Sequence, residues 1–114
     1  VKTEKRSKPV IRYKKEVNTY LNNLIDILFE NNYFSFVESA LVYITEMKEF
    51  VEKYIDVLPK FDAPHYFSQY QVGMKYIVYK SNHVTTWYIF FLQEENRYLI
   101  CYITNNHFEG QFIR

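Results

Sequence analysis

Cysteine is almost absent. Cys101 stands alone among 114 residues, so no internal disulfide can staple the fold, and a reducing compartment is expected. Two glycines leave no Gly-rich phosphate loop and argue against a disordered chain, as does a hydrophobic fraction of 48%. No apolar run approaches the ~20 residues that a bilayer span needs, and no signal-like apolar stretch leads the chain. A cytoplasmic protein without membrane association is the expectation. Metal-site Cys/His spacings are missing too, so neither a metal nor another cofactor is expected. What is plentiful is aromatic: 20% of residues, mostly twelve Tyr and ten Phe. Such residues fill cores and interfaces, and they also stack on bases.

Charge is unevenly spread behind a net value of +1. Residues 1–15 hold seven basic side chains against Glu4, a net of +6. Residues 16–62 hold nine acids against Lys48, Lys53 and Lys60, a net of −6. Residues 1–9 read as a basic flexible tail, either solvated or available to nucleic-acid phosphates. Residues 10–114 read as a single domain, long enough to bury a core. The acidic middle repels phosphate, so a nucleic-acid surface has to lie elsewhere.

Residues 85–105 organise that domain. Residues 85–93 are apolar on both parities, with Trp87, Ile89 and Phe91 on one and Tyr88, Phe90 and Leu92 on the other. A strand of this kind is central and covered on both sides. The second cover is this chain, another copy in a homodimer, or a partner. A polar break at Glu94–Arg97 turns into a last strand, residues 98–105. Val10–Tyr13 is a short first strand. Apolar residues at helical spacing (Val17, Leu21, Leu24, Leu28) predict a first helix from about Lys14 to Asn31-Asn32. Ser35 and Glu38 have the spacing of a capping box. Behind them Val37, Ala40, Leu41, Ile44, Met47, Val51, Tyr54, Ile55 and Leu58 predict a second helix, about 23 residues or roughly 34 Å long, stopped by Pro59. Residues 59–73 form a connection, and Met74–Lys80 a strand. The fold class is therefore α+β, in the order β-α-α-β-β-β. A twisted, mainly antiparallel sheet packs on a helical hairpin, and the first strand joins an edge beside one of the last two strands.

With the elements in this order, the chain resembles the RelE/ParE toxin superfamily of bacterial type II toxin–antitoxin systems. The likeness runs from about residue 10 to the end. Locally, Thr85-Thr86-Trp87-Tyr88-Ile89-Phe90-Phe91 and Tyr102-Ile103-Thr104-Asn105-Asn106-His107 are similar to plasmid-stabilisation-type members. The resemblance implies inhibition of translation by ribosome-dependent mRNA cleavage, or non-catalytic binding of DNA gyrase, or the same fold kept as a non-toxic interaction domain. It also implies a cognate antitoxin lying across the toxin. Cleavage by attack of a 2′-hydroxyl needs a base, an acid for the leaving oxygen, and cations on the developing charge. For an endoribonuclease of this family, His107 is the candidate acid and Arg97 the catalytic cation. Lys80, Lys75, Tyr79, Tyr88 and His83 are candidates for substrate contact, while His65 reads as a loop residue. Nucleolytic members also carry an Arg within the strand that corresponds to residues 85–93, and here that strand has none.

Overall fold

The structure, a computed structural model, describes residues 8–30 and 37–113, with only the backbone of residues 28, 29 and 37–39. Most of the basic tail lies outside that description, as do Ser35 and the side chain of Glu38 from the capping-box pair. Strand β1 (Val10–Tyr13) leads into helix α1 (Lys15–Glu30), and α2 (Val37–Tyr54) follows. Then come β2 (Phe61–Asp62), a 3-10 turn at His65–Gln69, β3 (Lys75–Lys80), β4 (Thr86–Glu94), β5 (Arg97–Asn105) and a last 3-10 turn at Gly110–Phe112. The sheet order is β1-β5-β4-β3-β2. Pairing is antiparallel except for β1, which runs parallel to β5. This is an α+β fold with a mixed five-stranded sheet, and β4 is its central strand. Among the described residues no helix is long and apolar enough to cross a membrane.

Both helices pack over one face of the sheet. Val17, Leu21 and Leu24 of α1 and Ala40, Ile44, Met47 and Val51 of α2 are buried at three- and four-residue intervals. They meet Ile77, Trp87, Ile89 and Phe91 of β3 and β4. Trp87 is held further, since its indole Nε1 donates to Tyr43 Oη at 2.7 Å and thus satisfies a buried donor. Helix α2 ends four residues before its expected stop at Leu58. Pro59 disfavours helical geometry at the residue before it, and the chain loosens first, with the amide of Val57 bonding back to Tyr54 O. Leu41 and Tyr54, expected in the apolar stripe, are exposed instead. Leu41 sits one step around the helix from Ala40, and Tyr54 meets Phe50 edge to face, with ring centroids 5.1 Å apart.

The second face of β4 is covered by this chain. The connection before β3 is not a plain loop. It forms β2 against β3, and its 3-10 turn puts Phe67 down on Phe90, with ring centroids 4.5 Å apart and Phe67 fully buried. Met74, Tyr76, Phe90 and Cys101 complete that smaller core, and Phe112 and Ile113 pack on it. Burying one such ring contributes about 1.5–3 kcal/mol. The centre of this face is therefore occupied by Phe67 of the chain itself.

One irregularity decides what each face receives from β5. Phe90 pairs with Tyr102 and Phe91 with Ile100, so Cys101 is an extra residue, a β-bulge. Before it, Tyr98 and Ile100 face the helices; after it, Ile103 does. Cys101 and Tyr102 both turn to the second face.

Candidate functional site

Three strand ends meet at one end of the sheet. In register, Lys80 of β3 lies opposite Thr86 of β4, and Trp87 lies opposite Asn105 of β5. Asparagines tie the adjoining turns together. Asn82 Oδ1 accepts the amides of Val84 and Thr85 at 2.9 Å each, an Asx turn. Asn106 accepts the amide of Thr86 at 2.8 Å and donates to Val84 O at 3.0 Å. Asn105 Oδ1 accepts the amide of His107 at 2.8 Å. The result is a turn clamped onto a turn, with His107 Nε2 3.1 Å from Thr85 Oγ1. Lys80, His83 and His107 are all exposed at this end.

Tyr88 is half-buried nearby on the second face, edge-on to Tyr76 at 5.9 Å. Tyr79 faces the other way and packs under α2, its ring 4.6 Å from that of Phe50. It is part of the helix-side core and does not share a surface with Tyr88.

Arg97 and Lys75 belong to the opposite end. Arg97 opens β5 across from Glu94. Eight residue steps separate it from Asn105 along β5, roughly 25 Å at ~3.3 Å per step. A single phosphate cannot touch both Arg97 and His107. Lys75 is engaged already: its Nζ donates to Asp62 Oδ1 at 2.6 Å, and that hydrogen bond, with the charge behind it, holds the Asp62 carboxyl below its ordinary value. His65 opens the 3-10 turn beneath the second face, away from both groups.

A third group was not visible in the residue order. Glu109, at 9% exposure, accepts hydroxyls from Tyr66 (2.9 Å) and Tyr70 (2.8 Å) on Oε2 and from Tyr102 (2.6 Å) on Oε1. The rings are stacked as well as bonded: Tyr70 lies on Tyr102 at 3.9 Å, and Tyr66 on Phe112 at 3.8 Å. Burial works against the charge on Glu109, but hydrogen bonds from Tyr102, Thr104, Tyr70 and Tyr66 outweigh it and hold the carboxyl below its ordinary value. Burial, and then the field of Glu109, pushes the Tyr20 phenol up to about 12. The one available sign was the four-residue spacing of Tyr66 and Tyr70, with Glu109 the only acid after Glu95.

Among the described residues, no three His, Cys, Asp or Glu side chains cluster as a metal site would require. Comparison of the chain with protein-family models, with curated proteins and with solved structures finds no match.

Proposed function

We propose that this chain is the toxin component of a type II toxin–antitoxin pair, of the RelE/ParE kind. Its working surface is the sheet end that carries Lys80, His83, Tyr88 and His107. The observation that supports this most is the order of elements: β1, two helices over one face, then three strands in a meander with the apolar β4 at the centre. The activity proposed is cleavage of ribosome-bound mRNA. His107 gives its proton to the leaving 5′-oxygen, and Lys80 attends the phosphate. Arg97, Lys75 and Tyr79 have no part in this site. The purified protein is expected to cut ribosome-bound mRNA, and His107→Ala to lose at least about tenfold of the rate, as expected when a general acid is removed. An unchanged rate would take His107 out of the mechanism.

The second reading is a ParE-like toxin that binds DNA gyrase without chemistry. The distance between Arg97 and His107 favours it, because among the described residues it leaves the His107 end without a guanidinium. A gyrase supercoiling assay separates the two, and absence of inhibition at saturating protein counts against binding. Ordinary growth of cells that overproduce the chain alone would reduce both readings to a non-toxic interaction domain.

A further inference from the structure

Strand β1 pairs with β5 only over Arg97–Ile100. From Cys101 onward β5 has no strand on that edge among the described residues, and the start of α1 runs beside the gap. A cavity of about 350 Å3 remains there. Its lining comes from Glu16, Val17 and Tyr20 of α1, residues 101–104 of β5, and Phe108 and Glu109. That is the small end of the range for ligand pockets, suited to the end of one flexible side chain.

Two properties decide what fits. The walls carry the rings of Tyr20, Tyr102 and Phe108, and Phe108 is 65% exposed at the rim. Two of the lining residues, Glu16 and Glu109, are carboxylates. Glu109 is nine-tenths buried, its oxygens are held by phenol hydroxyls, and among the described residues no cation pairs with it. Hydroxyl dipoles spread that charge without cancelling it, and Glu16 adds a second carboxylate. Ring faces and carboxylates attract the same kind of ligand, a cation. Lys14, whose Nζ donates to Gln71 Oε1 at 3.0 Å, brings a positive charge to the Cys101 end, so a bound cation belongs at the Glu16 and Glu109 end.

We propose that this cavity binds an organic cation, the guanidinium or ammonium group that ends an arginine or lysine side chain. The carboxylates of the site repel phosphate, and the proposal stands whether or not the chain is a toxin.

The test is an NMR titration of the full chain with ethylguanidinium chloride at constant ionic strength, against N-ethylurea as the neutral isostere. Saturable shifts at Tyr20, Cys101 and Phe108 are expected, with N-ethylurea at least about fivefold weaker, as follows from losing a cation–π contact in a partly dry site. Glu16→Gln and Phe108→Ala, both at exposed positions, each weaken ethylguanidinium about two- to fivefold. Glu109→Gln removes the preference for the cation over the urea; should that variant fail to fold, the other two still decide. A pentapeptide with one central arginine, compared with its alanine counterpart, identifies the source. Tighter binding than ethylguanidinium assigns the cavity to a polypeptide side chain, and equal binding assigns it to a free cation. Equal response to N-ethylurea, shifts that never saturate, or shifts that map elsewhere would overturn the proposal.

Discussion

The two faces of the sheet are built on different plans. The helix side is a layer of aliphatic side chains delivered at regular intervals by α1 and α2, set against the buried rings of Trp87, Phe91 and Tyr98 from the sheet. The opposite side is a smaller group of rings delivered by irregular chain, with Phe67 at its centre and Glu109 with its three tyrosines beside it. A periodic cover can tolerate the loss of one side chain, because neighbours a turn away remain. An irregular cover hangs on single contacts. The second face should therefore be the more brittle of the two.

The sharpest way to break that comparison is to truncate one central residue on each side. Phe67→Ala is expected to cost about 3–5 kcal/mol, and Met47→Ala about 2–5 kcal/mol with its value toward the lower end. Denaturant unfolding of the two variants measures this directly. A cost below about 1 kcal/mol at Phe67 would mean that the loop is a loose flap and that the face is open after all.

A smaller effect, with a pH signature, belongs to Glu109. Its folded carboxyl titrates below the ordinary value. Stability from this group is accordingly full above the unfolded pKa and is lost as pH falls through the folded one. Thermal melts of the wild type should drop on acidification below about pH 4.5, the upper bound set by an ordinary glutamate. In Glu109→Gln that part of the drop should vanish, at a cost near neutral pH of about 1–3 kcal/mol for the weakened hydrogen bonds. The same pH slope in both proteins would assign the acid sensitivity elsewhere.

The smallest expected change has the opposite sign. Glu95, the first residue of the two-residue turn between β4 and β5, has a φ of +57°. A side chain at that position is strained, and hairpins of this size favour glycine there. Glu95→Gly should raise stability by about 0.5–1 kcal/mol, read from the denaturant midpoint, with no effect on either face.

How much of this was legible in the sequence follows from distance along the chain. The buried side of α1 and the centrality of β4 could be read because their signals repeat within ten residues. The position of β1 followed from pairing rules, and Lys80, His83 and His107 fell at one end because each stands at a strand terminus. The two-residue β2, the descent of Phe67 and the grip of Tyr66 on Glu109 could not be read. Tyr66 and Glu109 are 43 positions apart, and nothing local announces their meeting. Arg97 looked like a partner for His107 only until strand length was converted to distance.

The extra residue at Cys101 has a consequence for anyone who compares this chain with a relative. It acts as a phase change in the sheet: inward and outward exchange parity at that point, so β5 must be read in two frames. Nine residues in strict alternation, with no bulge, would put Tyr102 opposite Ile89 and turn it toward the helices, away from Glu109. The register of Tyr102 against Phe90, more than the length of the strand, then tells whether a related protein can keep the tyrosine–carboxylate group.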